Sequence, residues 1–219
     1  QASVNPLPLT TSAASPTSST WWQGFDCSAR FFVSLKKVIY TMMVSLDGFI
    51  EGPDPELDWA IVDEELHRFA NDQAREASAF LYGRKVYETM AGFWPTADTG
   101  PSVPDFEVEF ARIWNEKPKL VFSRTLAEVG WNSRLIRDGI AEEVTKLKNQ
   151  PGNDLALAGA DLAATFLQLG LIDEFRPIVH PVILGGGKPY LAPLGQPLNL
   201  KLAETRTFGS GVIYLRYLK

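Results

Sequence analysis

From residue 38 onward, short apolar runs alternate with segments of helical period. Residues 38–44, Val-Ile-Tyr-Thr-Met-Met-Val, form a continuous apolar run of the length of a buried strand. Over 63–77 the spacing of Leu66, Phe69, Ala70 and Ala74 predicts an amphipathic helix; 79–82 reads as a second strand and 84–90 as a short helix opened by Gly83. A loop over 94–105, rich in Gly, Pro and Asp, leads to a helix over 106–115 and, through Pro118, to a strand over 119–123. Asp138 is expected to cap a helix reaching Lys148. A strand over 154–158, a helix over 161–169 ending at Gly170 and a strand over 175–180 follow. The pattern closes with a hairpin, 199–208 and 212–218, around Gly209-Ser210-Gly211. Strands alternating with helices predict a single α/β domain over 37–219.

Residues 1–36 read differently. The first 20 are dominated by Ser, Thr, Pro and Ala with almost no charge, a composition that cannot offset the entropy of ordering a core. A disordered or loosely packed tail is expected, with Trp21, Trp22 and Phe25 available to pack on the domain. Gln1 in place of Met suggests a processed or truncated start. Phe31-Phe32-Val33 is too short to span a bilayer, so no membrane association is expected.

Composition narrows the chemistry. A formal charge of −5 and the lack of a dense Lys/Arg run argue against a protein that grips nucleic acid through its phosphates; a small-molecule substrate is the expected partner. Cys27 is the only cysteine and His67 and His180 the only histidines, which leaves no Cys or His cluster for a metal. We expect no metal, and the lone cysteine suits a reducing, cytoplasmic setting. His67 reads as a solvated helix residue and His180 as a satisfied structural one.

Three strand ends run into small residues and then helices or looser turns: Tyr82-Gly83-Arg84, Ser123-Arg124-Thr125 and Ala158-Gly159-Ala160. Such turns aim backbone N–H groups at whatever lies beyond the strand, and a helix N-terminus stabilises phosphate there. Each alone is common in α/β folds for steric reasons. Together with Ser45-Leu46-Asp47-Gly48-Phe49-Ile50, the run from Leu81 through Gly83-Arg84-Lys85-Val86 to Glu88, Val121-Phe122-Ser123-Arg124, Gly170-Leu171-Ile172-Asp173-Glu174 and Val179-His180-Pro181-Val182-Ile183-Leu184-Gly185-Gly186-Gly187, they carry a likeness. The chain resembles the dihydrofolate-reductase-like superfamily, and within it the riboflavin-pathway reductase domain of RibD C-terminal type, over nearly all of its length after Lys37. A dinucleotide fold with G-x-G-x-x-G after the first strand is not written here.

The resemblance implies a mixed, mainly parallel sheet flanked by helices, with NADPH across the strand ends. It assigns Gly83, Arg84, Lys85 and Val86 to the cofactor phosphates, with Ser123 and Arg124 beside the adenosine ribose phosphate. Two guanidiniums around one phosphate favour NADPH over NADH. Gly159, Ala160, Asp161 and Leu162 match the turn toward the pyrophosphate and nicotinamide; Met43, Val44 and Ile50 would pack on the nicotinamide ring. Relatives usually carry a further Gly or Ser in the Gly159 turn where this chain has Ala158, which implies a weaker grip on the cofactor.

Candidate catalytic residues are Asp47, in the loop after the first strand, and Glu65, on the first turns of the helix after Trp59. Trp59, Phe69 and Val179 are the substrate-binding candidates. Plain alternatives stand beside these: Asp-Gly suits a turn, and acidic residues favour helix N-termini. Gly185-Gly186-Gly187-Lys188 lacks the P-loop pattern and falls, by the resemblance, on the substrate rim, where Lys188 would meet a substrate phosphate.

The implied reaction is hydride transfer from NADPH to a C=N or C=O carbon of a pterin-like or aminopyrimidine-type molecule, a dihydrofolate or a 5-amino-6-(5-phosphoribosylamino)uracil type of substrate, with a carboxylate or ordered water giving the proton. The segment before Lys37 is too short for the zinc deaminase domain that often precedes this reductase, which points to a stand-alone relative. Rival readings are a catalytically silent NADP-binding protein of the same fold and a flavin-dependent enzyme using the same cleft. The long apolar strands, and the habit of resembling proteins, suggest a homodimer.

Overall fold

The computed structural model describes residues 35–53, 58–99 and 102–219. The expected tail, with Trp21, Trp22, Phe25 and Cys27, lies outside the described residues except at its last two positions. There, Lys36 is buried and its N–H donates to the Lys148 carbonyl at 3.0 Å.

Among the described residues, ten strands and five α-helices follow in order: β1 (Val38–Ser45), β2 (Phe49–Glu51), α1 (Glu64–Glu76), β3 (Ala79–Gly83), α2 (Arg84–Phe93), a short 3-10 segment (Trp94–Thr99), α3 (Asp105–Glu116), β4 (Lys119–Phe122), β5 (Ser133–Ile136), α4 (Ile140–Lys148), β6 (Leu155–Ala158), α5 (Ala160–Gln168), β7 (Glu174–His180), β8 (Lys188–Pro189), β9 (Lys201–Thr207) and β10 (Ile213–Leu218). Eight strands form one sheet in the order β5-β4-β3-β6-β1-β7-β10-β9. Strands β5 through β7 are parallel, and the hairpin β9–β10 adds antiparallel along β7. The fold is thus a mixed, mainly parallel sheet between helices, as the resemblance implies.

Local chemistry sets the helix ends. Asp63 caps α1 by accepting the Leu66 N–H at 2.9 Å, with Glu64 and Glu65 in the first turn and Arg75 in the last, each on the favourable side of the helix dipole. At the other end of the sheet, lysines close helix C-termini. Lys117 Nζ donates to the Arg75 and Ala77 carbonyls of α1, Lys119 Nζ to the Trp114 carbonyl of α3, and Lys219 Nζ to the Gly170 carbonyl after α5. Lys119 is fully buried, 4.2 Å over the Trp114 ring. The expected Asp138 cap is a correction: α4 starts from Gly139 in a left-handed conformation (φ 69) without a side-chain cap, and Asp138 pairs with Arg124 instead.

Strand alternation sends side chains to two cores. Val38, Tyr40 and Val44 of β1, Leu155 and Leu157 of β6, and Phe175 of β7 pack with α4 and α5, where Phe166 lies fully buried, 5.5 Å edge-on from Phe122. On the opposite face, Phe80, Tyr82 and Val121 meet α1, α2 and the buried Trp114 of α3. A smaller cluster of Leu66, Ile178, Phe208, Val212 and Tyr214 ties α1 to the hairpin. Phe166→Ala would empty the centre of the first core; it is expected to lower unfolding free energy by about 3–5 kcal/mol in urea titration.

Candidate active site

The parallel strands end at one edge, and their register brings three turns side by side there. Gly83 lies opposite Phe122, and Tyr82 opposite Ala158, so Gly83-Arg84, Ser123-Arg124 and Gly159-Ala160 form a continuous rim. Neither Gly83 nor Gly159 offers a side-chain cap, so the first N–H groups of α2 and α5 stay free to meet an anion. The two helix starts are pressed together. Gly159 has φ 99, and a β-carbon on it would lie 2.7 Å from Val86 Cγ2; one on Gly83 would sit 3.6 Å from the Leu162 β-carbon. The Gly159 N–H is itself directed at Met42 Sδ at 3.2 Å, so the open donors of this close-packed cradle are the N–H groups that follow it on α5 and those that start α2, and these fit a dinucleotide's phosphates.

The cationic flank is arranged differently from the expectation. Arg124 is strongly exposed, ion-paired with Asp138 at 3.0 Å, and its Nε reaches toward the Arg137 carbonyl. Arg137, which the sequence reading passed over, returns Nη2 to the Ala127 carbonyl at 3.0 Å, beside Ser123, whose N–H donates to Ile136. The missing signal was β5 itself: Ser133-Arg134-Leu135-Ile136 is too short and mixed to read as a strand. Ser123 Oγ accepts from the N–H groups of Thr125 and Leu126 and so shapes this turn. Lys188 is bound to Asp161 Oδ2 at 2.5 Å, which fastens the glycine-rich rim to the first turn of α5.

Behind the rim, a cavity of about 530 Å³ runs between α1 and the sheet, from 152–154 at the start of β6 to Ala158 at its end. Phe69 lines it, packed edge-on to Tyr214 and Phe208. Val179 is a correction. It pairs with Val44 and packs into the core on the α5 side, so the alternation of β7 gives the cavity Ile178 and Arg176 instead. Met43, opposite Ile178, shares the α1 face, while Val44 and Ile50 are buried in the main core.

At the C-terminal end of β7, His180 is fully buried. Its Nδ1 accepts the Ile61 N–H at 3.2 Å, which leaves the ring proton on Nε2, and burial depresses its pKa. Trp59 stands edge-on to it at 5.4 Å, and neither Trp59 Nε1 nor His180 Nε2 has a partner among the described residues. His67 also departs from the solvated position expected of it: it sits half-buried among Trp94, Phe106 and Phe110.

The two candidate acids are not brought together. Asp47 accepts from Ser45 Oγ at 2.6 Å and from the N–H groups of Leu184 and Gly185 at 3.1 and 2.7 Å, a latch between the first loop and the glycine-rich rim. Glu65 accepts from Arg206 at 3.0 Å and the Gly209 N–H at 3.1 Å, and so pins α1 to the hairpin. These donors hold both carboxyls below their usual pKa, Ser45 first for Asp47 and Gly209 first for Glu65. A group so held is a poor proton donor at neutral pH.

The model of the RibD C-terminal domain matches residues 36–214. The chain belongs to the RibD C-terminal domain family. A Bacillus subtilis relative, the uncharacterised protein YyaP, is 43% identical over 183 residues, 83% of this chain and 94% of its own. Among solved structures, a Shewanella sp. PV-4 protein whose name assigns it provisionally to riboflavin biosynthesis aligns with a TM-score of 0.64 at 22% identity, covering 83% of this chain and 98% of that one. Dihydrofolate reductase from Enterococcus faecalis, complexed with NADP(H), aligns at 0.53 and 8% identity over 83% and 95%. In this RibD C-terminal domain no group of three or more His, Cys, Asp or Glu is placed to hold a metal among the described residues. No helix among those residues is long and apolar enough to cross a membrane.

Two outcomes test the geometry. Gly159→Ala is expected to lose about 1–3 kcal/mol to backbone strain and about 1–3 more to overpacking on Val86; in a Val86→Ala background only the first loss should remain in urea titration. The Asp47 latch has a folded-state pKa below its ordinary 3.8, so its contribution is whole above that value and lost as pH falls through the lower one. Asp47→Asn should therefore flatten the acid limb of the stability profile measured by urea midpoint against pH.

Proposed function

We propose that the chain is an NADPH-dependent reductase acting on a pterin-like or aminopyrimidine-type small molecule. The observation that carries this reading is the pair of uncapped helix starts pressed together at Gly159 and Val86 along the strand-end edge, with Arg84 and Lys85 on the first turn of α2. When bound, the cofactor supplies the hydride. Gly83, Arg84, Lys85, Gly159 and Ala160 hold its diphosphate, and Arg124 and Arg137 at the end of β4 and β5 receive the ribose phosphate, Arg124 exchanging its exposed pair with Asp138 for it. An exposed pair of that kind is worth little and is readily exchanged.

The chain's own residues then position the substrate. The cavity under α1 ends toward the strand-end edge at Ala158 and Ile178, so a flat ring entering it there lies against the cofactor edge, and the apolar walls exclude water around the reacting carbon. Asp47 orders the rim through Leu184 and Gly185, and Glu65 fixes the helix that roofs the cavity. With both carboxyls held ionised, the proton comes through solvent at the open edge.

Titration of intrinsic tryptophan fluorescence is expected to show NADPH bound at least tenfold more tightly than NADH, and Arg124→Gln with Arg137→Gln should abolish that preference. NADPH oxidation should follow addition of 7,8-dihydrofolate or 5-amino-6-(5-phosphoribosylamino)uracil. Selective NADPH binding with no turnover of either would favour a silent dinucleotide-binding protein, and a yellow, flavin-loaded protein would overturn the cofactor assignment.

A further inference from the structure

The cavity under α1 continues well past the place where a ring would meet the cofactor, and its inner end is not apolar. Arg176 of β7 lines it there, opposite Thr41 of β1, which is two residues or about 7 Å further from the cofactor edge than Met43. We propose that this inner end is a carboxylate subsite built on Arg176 and Gln73, so that the molecule reduced at the outer end carries an acidic group on the far side of its ring.

The donors are pre-set for it. A guanidinium has five N–H groups; Arg176 commits Nε to Glu174 Oε1 at 2.6 Å and Nη1 to Gln73 Oε1, and Nη2 has no acceptor among the described residues. Because Gln73 accepts through its oxygen, its amide nitrogen is left to donate, and Thr41 adds a hydroxyl on the same wall. The Arg176 Nη2, the Gln73 amide nitrogen and the Thr41 hydroxyl form a donor face with a planar fork that matches the two oxygens of a carboxylate, while the buried Glu174 carboxylate stays on the Nε side of the guanidinium. The local charge balance agrees. Glu174 is fully buried but shared by three cations, Arg176, Arg216 and Lys37, and only Glu204 adds a second negative charge to this network. Only Glu174 of this network is fully buried, with Arg176 largely enclosed and the other members partly exposed; an incoming anion would offset its third cation.

Direction follows from the rim. Glu76 and Asp154 line the inner mouth, which disfavours entry of an anion on that side, so the acid leads inward from the cofactor edge and the ring follows. Phe69, Phe80 and Ala156 supply the apolar walls between. The ring's orientation rests on the reductase reading; binding of a ring acid in the cavity does not.

The test uses the full chain without any dinucleotide and two probes of one shape, 2-naphthoate and 2-naphthamide, in isothermal titration. The acid is expected to bind at least tenfold more tightly than the amide. Arg176→Met should bring the two within twofold of each other while keeping amide affinity. Gln73→Leu, at a half-buried helix position, should cut the preference at least threefold and carries the test if Arg176→Met does not fold. Equal affinities in the parent protein, no saturable binding of either probe, or a preference that persists in the variants would overturn the proposal. Since no cofactor is present, failure to bind NADPH would sink the reductase reading and leave this result standing, and the reverse holds as well.

Discussion

Position 159 has room for a hydrogen and nothing larger. Its φ of 99 and the 2.7 Å between a would-be β-carbon and Val86 mean that α2 and α5 can begin side by side only because the residue between them has no side chain. That approach is what sets the rest of the edge. It brings the free N–H groups of two helices onto one small area, places Ala158 at the outer end of the cavity under α1, and lets Lys188 reach Asp161 so that the glycine-rich rim comes down beside them. The sheet contributes the alignment through the register of β3 with β4 and β6. The glycine converts that alignment into a binding edge.

Two tethers then define how the cavity is roofed and rimmed. Asp47 and Glu65, the acids that first suggest chemistry, are each engaged by backbone N–H groups from distant parts of the chain, Leu184 and Gly185 for one and Gly209 for the other. Their long sequence separation is the point: each carboxylate joins a segment from the first third of the fold to one from the last. Polar groups that look catalytic in a one-dimensional pattern are here spent on holding the walls in place.

Much of the fold is legible along the chain because its strands are apolar and its helices have one wet face. The first strand, α1 and the Gly83 and Gly159 turns can be placed to within a residue or two. What escapes has physical causes. β5 is four residues with two polar ones at an outer edge of the sheet, so it carries almost no periodic signal. Asp138 reads as a cap, yet the left-handed Gly139 starts α4 and frees the aspartate for Arg124. Val179 and Ile178 are equally apolar, and only the pairing of β7 with β1 decides which one faces the cavity. Arg176 is invisible as a site residue for the same reason: its importance lies in Gln73 and Glu174, which are far from it in sequence or on its own strand without any motif.

The lysines that close the helix C-termini also give the molecule an electrical direction. Lys117, Lys119 and Lys219 place their charge against carbonyls at one end of the sheet, which cancels the negative poles of α1, α3 and α5. The positive pole of α2 at the other end has no acidic residue in its first turn and no capping side chain, and that of α5 has only Asp161, itself paired with Lys188. A chain with a formal charge of −5 therefore holds an anion-attracting edge whose field is felt only within about 10 Å in physiological salt. Seen from afar the chain repels an anion; close to that one edge, the local field has the opposite sign.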